Sequence, residues 1–204
     1  MMKVRQLCAA VVLMGAWSVS ASAQTAWESP ILIAPAGGGG LGLFLTEPAG
    51  GDLGFMLTFR SRRDPSLGYR VGLAEQGSDD VVVFGGVDVS GPIMSANRDF
   101  PLDVIWIAGA GAGIGNDVLL SFPFGVSMGR TVVGDGVLFT PYVAPRVVLD
   151  AWLGRDDPPG DDLDLGLVVD FGVNLAFRSA WEIRFGASLG DHDSLAIGLG
   201  LPTR

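Results

Sequence analysis

The chain carries very little sulfur or imidazole chemistry: its 204 residues include one cysteine, Cys8, and one histidine, His192. Cys8 lies in an amino-terminal segment with the features of an export signal. The exported protein is therefore expected to have no disulfide, no thiolate metal site and no cysteine nucleophile. Basic residues are also scarce, with 13 Lys and Arg against 22 Asp and Glu. This acidity argues against nucleic acid as a partner.

Long hydrophobic runs are absent as well. Hydrophobic residues make up 49% of the chain and the mean hydropathy is +0.43, yet no apolar run reaches the roughly 18 residues that indicate a membrane helix. The composition is too apolar for an ordinary secreted domain. A transmembrane β-barrel resolves this conflict, because its lipid-facing residues are spread over alternate positions.

The amino terminus has the three parts of a secretory signal. Lys3 and Arg5 precede an apolar run over residues 7–16, and Ala21-Ser22-Ala23 is typical of a cleavage site. A transmembrane anchor is the alternative, but the run is shorter than the roughly 20 residues that span a bilayer. We expect cleavage after Ala23, which removes two positive charges, leaves 11 Lys and Arg, and moves the net charge from −9 to −11.

Strict alternation is the clearest pattern in the remaining chain. In residues 163–177 every second side chain is apolar, from Leu163 to Phe177, and the pattern resumes at Trp181 after a short link. A period of two predicts β-strands with one apolar face, here a long hairpin. We predict an all-β, antiparallel, up-and-down barrel, with eight strands as an alternative to ten. The predicted domains are a signal peptide at 1–23, an amino-terminal segment at 24–39 and a barrel at 40–204, with strands at 40–46, 52–60, 68–75, 80–90, 101–112, 117–129, 137–150, 162–177, 180–190 and 194–201.

The less apolar strand face is rich in small residues, among them Gly54, Gly86, Gly172 and Gly198. A soluble sandwich or ligand-binding barrel would expose Thr, Lys or Glu on that face, and its strands would be shorter. Small side chains suit the interior of a narrow barrel. We therefore predict an outward apolar face in contact with lipid, formed in part by Trp106, Phe122, Phe124, Phe171, Trp181 and Phe185.

The links between the predicted strands sort by charge. One alternate set is acidic and has Arg155 as its single cation; its acidic members are Glu47, Asp52, Glu75, Asp79, Asp80, Asp117, Asp156, Asp157, Asp161, Asp162, Asp191 and Asp193. The other set is richer in arginine and contains Arg60, Arg62, Arg63, Arg98, Arg130 and Arg178, against Asp64, Asp99 and Asp135. An even strand number then places the two sets at opposite ends of the barrel and both chain ends on one side. That side is periplasmic in outer-membrane barrels, so the long acidic loop 151–162 is expected outside.

Over residues 40–201 this strand pattern resembles the small bacterial outer-membrane barrels of the opacity and OmpX type. The resemblance implies eight to ten antiparallel strands around a packed or narrow interior, insertion into the outer membrane of a Gram-negative cell by the barrel-assembly machinery, and contact with outer-membrane lipid and lipopolysaccharide. Members usually finish the last strand on an aromatic residue. This chain ends Leu201-Pro202-Thr203-Arg204 instead, which departs from the usual insertion signal.

Charged residues recur at inward positions and are candidates for a network across the lumen. Such charges pair across a narrow barrel or line a water-filled path. The first reading predicts a structural network, and the second a narrow passive pore of the porin kind for small solutes. Asn174 is expected opposite Arg184 if Phe177 pairs with Trp181. The candidate lumen residues are Arg60, Arg70, Asp88, Arg146, Asp150, Asp164, Asp170, Asn174, Glu182 and Arg184.

His192 is flanked by Asp191 and Asp193, and an imidazole oriented by a carboxylate is a candidate general base. Outer-membrane proteases of the omptin type, which the residue types resemble here, place an Asp-His pair and an acidic pair at the outer rim. Asp79 and Asp80 are the candidates for the acidic pair. A rim hydrolase is therefore one alternative, and a polar hairpin turn without catalysis is the favoured reading.

The acidic loop offers oxygen ligands for a hard cation. Asp156, Asp157, Asp161 and Asp162 lie close together in sequence, and clustered carboxylates are what Ca²⁺ and Mg²⁺ prefer. Their spacing does not match an EF-hand, and a solvated loop is the simpler interpretation. The sequence thus predicts a monomeric, non-catalytic outer-membrane barrel with no cofactor other than loosely bound Ca²⁺ or Mg²⁺, in a structural or surface-interaction role.

Overall fold

The computed structural model describes residues 25–63, 65–77, 80–156, 159–177 and 181–202; the predicted signal peptide lies outside these ranges. The described chain is all β. Its strands are β1 (Gly40–Glu47), β2 (Gly54–Arg60), β3 (Ser66–Gln76), β4 (Asp80–Met94), β5 (Asp103–Ile114), β6 (Val118–Gly129), β7 (Val132–Val133), β8 (Val137–Asp156), β9 (Pro159–Phe177), β10 (Glu182–Gly190) and β11 (Ser194–Pro202).

The strands form one closed antiparallel meander. Each long strand pairs with its neighbours along the chain, β1 pairs with β11, and β6 pairs with β8. The two-residue β7 only extends the β6–β8 connection by pairing with β8. Ten long strands therefore make the wall, which confirms the barrel and the higher of the two predicted strand numbers. No helix among the described residues is long and apolar enough to span a membrane.

The predicted hairpin register is also confirmed. Arg184 lies opposite Asn174 in the β9–β10 ladder, and the backbone N–H of Phe177 donates to the carbonyl of Trp181 over 3.0 Å. The rings of those two residues stack with centroids 4.3 Å apart. Most of the predicted loop 151–162 is strand in the structure. The strand β8 ends at Asp156 and β9 begins at Pro159, and the two pair beyond the ends of their neighbours.

Alternation assigns the two faces of the wall. From Leu163 onward the odd-numbered residues of β9 face outward and are exposed or partly exposed, as Leu163 (69%) and Leu167 (61%) are, whereas Val168 and Asp170 face inward and are buried. The same division holds around the barrel. Five of the six predicted lipid-facing aromatic residues are each more than one third exposed. The sixth, Trp106, lies against Gly91. The outer surface is thus predominantly apolar over the length of the strands.

The inside of the barrel is filled by the chain's own amino-terminal segment. Residues 25–39, named here the luminal segment, run along the lumen before β1 begins, and residues 25–34 are all buried. At one end the N–H of Ala26 donates to the carbonyl of Ala49 over 2.9 Å. At the other end the carbonyl of Gly38 lies 3.4 Å from Nη2 of Arg184. The segment therefore crosses the barrel lengthwise.

The path of the luminal segment bears on the expectation that both chain ends lie on one side. The links after β1, β3, β5, β8 and β10 form one end, named the acidic end, and the start of β1, the end of β11 and the remaining links form the other, named the basic end. Thr25 packs against Gly51 and Gly113 near the acidic end, whereas Pro202 pairs with Gly40 at the basic end. The start of β1 and the end of β11 thus lie at one end, as an even strand number requires, whereas Thr25, the first described residue, lies near the other end.

Candidate functional site

The glycine-rich inner face makes room for the luminal segment. A Cβ atom at Gly86 would lie 2.3 Å from the indole of Trp27, at Gly111 2.6 Å and at Gly109 3.0 Å. Glycines on β4 and β5 thus form a slot for the fully buried ring, and Nε1 of Trp27 donates to the carbonyl of Ser121 over 3.0 Å. The small residues were predicted to fit opposing wall side chains into a narrow lumen, but here they accommodate a segment of backbone and its side chains.

The buried apolar clusters of the described chain each include the luminal segment. Trp27 and Leu32 pack with Phe44, Met56 and Phe84, and Ala26 packs with Leu119. A third cluster joins Ile31 and Ile33 to Ile107 and Ala144. Because a barrel wall cannot fill its own centre when its inner face carries so many glycines, this segment supplies the missing core.

A charged cluster near the acidic end holds the segment in place. Glu28 is fully buried, and its Oε1 accepts from Nη1 of Arg146 over 3.1 Å and from Nδ1 of His192 over 2.7 Å. Nε of Arg146 donates to Oδ2 of Asp170 over 2.6 Å. Oδ1 of Asp170 accepts the backbone N–H of Ile31 over 3.2 Å. The luminal segment therefore shares both an ion pair and a backbone hydrogen bond with the wall.

His192 lies in the link between β10 and β11 and points into the lumen. Its Nε2 is 2.8 Å from Oδ2 of Asp150, so both ring nitrogens contact carboxylates. Burial favours the neutral imidazole, but the hydrogen bonds to Asp150 and Glu28 outweigh it and raise the pKa of His192 to about 10. The ring is a cation at neutral pH and donates from both nitrogens.

The described members of the predicted rim catalytic set each have other partners in the structure. A protonated His192 has no lone pair with which to act as a general base. Asp191 and Asp193 instead accept backbone N–H groups, from Leu167 over 2.6 Å and Gly190 over 2.9 Å. Asp80 accepts from the side chain of Asn116 over 3.0 Å. Asp79 lies outside the described residues.

Five other lumen candidates form a second cluster near the basic end: Arg60, Arg70, Asp88, Glu182 and Arg184. Arg60 makes a short ion pair with Asp88, which also lies 3.9 Å from Nη2 of Arg70. Arg70 donates to the carbonyl of Pro30 over 3.0 Å, and so fixes the luminal segment from the opposite wall. Arg184 pairs with Glu182 two residues before it on β10.

Asn174 and Asp164 differ in environment. Asn174 is buried in the ladder position opposite Arg184. Asp164 is in an inward register position opposite Asp150, but it lies past the last paired residue of β10 and is exposed. It therefore belongs to the acidic rim, and not to the charge network in the lumen.

The structure does not describe the side chains of the predicted cation ligands. Asp157 lies outside the described residues, and the side chains of Asp156, Asp161 and Asp162 lie outside the description of their strands. Among the residues whose placement is described, no group of three or more His, Cys, Asp or Glu side chains is arranged to hold a metal ion.

Sequence reasoning missed the luminal segment and two of its key residues, Trp27 and Glu28. A signal was present: residues 26–34 are rich in apolar side chains and lie directly before a barrel whose inner face is unusually small. The segment is apolar but has no predicted strand, and the inward side chains of the wall are too small to fill the lumen. Together these two observations indicate that the segment fills it.

Comparisons with known proteins leave the chain without a family. No protein-family model matches it, and no curated protein matches it significantly. One similar solved structure is the crystal structure of Ail, the attachment invasion locus protein of Yersinia pestis, in complex with the heparin analogue sucrose octasulfate; the two are 11% identical, the match covers 79% of this chain and 97% of Ail, and the TM-score is 0.26. The fold assignment rests on the strand pairing of this chain, which closes an antiparallel barrel of ten long strands.

Proposed function

We propose that this protein is a monomeric outer-membrane β-barrel whose lumen is closed by its own amino-terminal segment, and that its role is structural or surface-interacting. The observation that carries the proposal is the combination of a closed barrel and an outward apolar face. Leu41, Leu43, Phe55, Leu57 and Val71, on three neighbouring strands, are each more than half exposed. Such a continuous apolar surface is not stable in water and matches the lipid-facing band of a membrane barrel.

The same surface argues against a soluble ligand-binding barrel, which would carry polar residues outside and an open cavity within. Here the polarity is reversed. Buried charges, among them Arg146 and Asp170, lie inside, and the lumen is occupied by the luminal segment. The cell fraction of the expressed full chain, together with the gel mobility of the refolded protein before and after boiling, tests this assignment. An outer-membrane protein with a heat-shifted compact band supports it, and a soluble protein without a shift contradicts it.

A closed lumen favours a non-conducting barrel over the narrow pore. The mature wild-type barrel in planar bilayers is expected to show no steady single-channel conductance. A double variant, Trp27→Ala with Glu28→Ala, removes the ring from its glycine slot and the carboxylate from Arg146, and should produce openings. Gly38→Ala is the control, because nothing lies within 4 Å of a Cβ there. Steady wild-type conductance that these variants leave unchanged would favour the pore.

The two ends suggest an orientation. With the basic end in the periplasm, the acidic end and the paired β8–β9 extension face outside, where lipopolysaccharide phosphates and divalent cations are concentrated. Exposed Asp52 and Asp191 at that end could share Ca²⁺ or Mg²⁺ with those phosphates. Insertion by the barrel-assembly machinery follows from the same location. Labelling of intact cells with a membrane-impermeant, thiol-reactive biotin tests the orientation in the variants Asp191→Cys and Arg98→Cys. Labelling at residue 191 and not at residue 98 supports this orientation, and the reverse contradicts it.

A further inference from the structure

The outward apolar face of the barrel differs in height from one side to the other. On β1 it consists of three leucines, from Leu41 to Leu45, each about half exposed. The next outward residue of that strand is Glu47, which is exposed. On β9 every second residue from Leu163 to Phe177 is outward and apolar, which makes eight. The surface offered to lipid is therefore much shorter on β1 than on β9.

The neighbours of these strands follow the same trend. At β2 the outward apolar residues run from 53 to 59, and at β3 they run from 67 to 73. On β8 they run from 137 to 153. In the closed ring of ten long strands, β8 and β9 lie across the barrel from β2 and β3. The outward residues of β1, β2 and β3 are named here the short face, and those of β8 and β9 the tall face.

Carboxylates limit the short face at the acidic end. Glu47 is exposed at the outward position that follows Leu45 on β1. Glu75 is exposed at the outward position that follows Leu73 on β3, and its N–H donates to the carbonyl of Leu53 over 3.1 Å. A charged side chain that faces lipid is destabilising, and the cost rises with its depth in the hydrocarbon. The hydrocarbon layer beside the short face must therefore end before it reaches these two carboxylates.

The length of each face converts into a membrane thickness. A strand rises about 3.4 Å per residue and tilts by about 40° in a membrane barrel. The step from Leu41 to Glu47 then spans about 16 Å along the membrane normal, against about 25 Å for the apolar band of such barrels. The step from Leu163 to Phe177 on the tall face spans about 36 Å by the same conversion. A tilt of the whole barrel shifts the two faces along the membrane normal but does not lengthen the short one.

We propose that the short face fits a locally thinned bilayer and gathers lipids with short acyl chains beside β1, β2 and β3. This inference rests on the proposed membrane location. The thinning keeps Glu47 and Glu75 out of the hydrocarbon, whereas the outermost leucines of the tall face, Leu163 and Leu165, extend past the hydrocarbon at the acidic end. A mismatch between apolar length and bilayer thickness has a modest cost per ångström, yet it sorts proteins among membranes of different thickness. Here the same cost sorts lipids between the two sides of one barrel.

The test measures which lipids surround each face. The chain's one cysteine, Cys8, lies in the predicted signal peptide, so the mature variants Leu43→Cys on the short face and Val173→Cys on the tall face each accept a single fluorophore. Each labelled protein is refolded in vesicles that mix equal amounts of dimyristoleoyl- and dierucoyl-phosphatidylcholine, with either the short-chain or the long-chain lipid brominated as a quencher. The ratio of quenching by the short-chain lipid to quenching by the long-chain lipid should be higher at residue 43 than at residue 173.

Further substitutions in both labelled proteins test the cause. Glu47→Leu with Glu75→Leu lengthens the short face by one outward position on two strands, so the two ratios should move closer together. Leu165→Gln is the control on the tall face, beyond the hydrocarbon, and should leave both ratios unchanged.

Equal ratios at residues 43 and 173 in a protein that keeps its heat-shifted band would overturn the proposal and leave the membrane location standing. So would a difference that Glu47→Leu with Glu75→Leu preserves, or one that Leu165→Gln changes as much. A protein that shows neither a shifted band nor quenching at either residue has not inserted, and this result would overturn the proposed function as well.

Discussion

Gly86→Ala tests the filled lumen directly, because it adds one methyl group at the position that the ring of Trp27 occupies. The new Cβ would be 2.3 Å from Cε3 and 2.5 Å from Cδ2 of the indole, far inside van der Waals contact. The ring cannot move freely, since Nε1 is bonded to the carbonyl of Ser121 and Arg70 lies over its face with Cζ 5.4 Å from the ring centroid. Overpacking of this kind costs about 1 to 3 kcal/mol.

The same substitution should be harmless once the ring is removed. Trp27→Ala alone is expected to cost about 3 to 5 kcal/mol through the cavity it leaves. In that background the Gly86→Ala methyl enters empty space, and alanine is intrinsically better in a strand interior than glycine by roughly 0.5 to 1 kcal/mol. The double-mutant cycle should therefore give an interaction free energy of about 2 kcal/mol, within the range for residues in contact.

Urea unfolding in lipid vesicles, followed by circular dichroism so that loss of a tryptophan does not affect the signal, measures the cycle. Gly85→Ala is the matched control, because Gly85 lies on the outer face of the same strand and its nearest Cβ contact is the carbonyl of Arg70 at 3.1 Å. It should have the same small effect in both backgrounds. Equal costs of Gly86→Ala with and without Trp27 would refute the placement of the luminal segment in the lumen.

Three further predictions address the membrane face and the charged cluster. Phe171→Arg, on the lipid face near the midplane, should cost about 2 to 4 kcal/mol of stability. Leu163→Arg lies past the last paired residue of β10 and should cost no more than about 1 kcal/mol. Equal costs for the two variants in vesicle unfolding would contradict the proposed membrane position. The pKa of His192 is about 10 in the folded protein, above its value near 6.5 in the unfolded chain. Its stabilising contribution is therefore complete below about pH 6.5 and is lost as the pH rises through about 10. Urea midpoints between pH 6 and 11 should show this decline in the wild type and not in His192→Gln. Asp170→Ala removes one of the two carboxylates that Arg146 contacts in the lumen and should cost about 3 to 5 kcal/mol. Asp191→Ala at the exposed rim should cost about 1 kcal/mol, and a similar loss in both variants would argue against the buried network.

The sequence determined the wall of the barrel well because alternation is a local property. Each strand shows its two faces in the order of its residues, as Leu163 to Phe177 do, and a hairpin register follows from a short link. The predicted pairing of Asn174 with Arg184 depended on nothing beyond that link. The extension of β8 and β9 was not visible, because Asp156 and Pro159 have low intrinsic strand preference and are held in strands by pairing with each other.

The inward charges were identifiable for the same local reason, but their partners were not. Alternation places Arg146 and Asp170 on the inner face, yet it does not show that Glu28, more than a hundred residues earlier, lies between them and His192. Asp191 and Asp193 were attractive partners for His192 because they are adjacent in sequence. Contacts across a lumen join residues that are far apart in sequence. The ring of His192 therefore contacts Glu28 and Asp150, which its neighbours in the sequence did not indicate.

The filled lumen explains why this barrel combines so many inner glycines with so many buried charges. A wall built of small residues would leave a wide channel, and a lumen crossed by bare backbone would leave its amides without partners. Here Ser127 donates to the carbonyl of Ile33 over 2.7 Å, Asp170 accepts from the N–H of Ile31, and Arg70 donates to the carbonyl of Pro30. The wall charges thus satisfy the backbone of the segment for which the wall glycines make space. A barrel of this design cannot release its luminal segment without exposing both, so closure of the lumen is part of the stability of the fold.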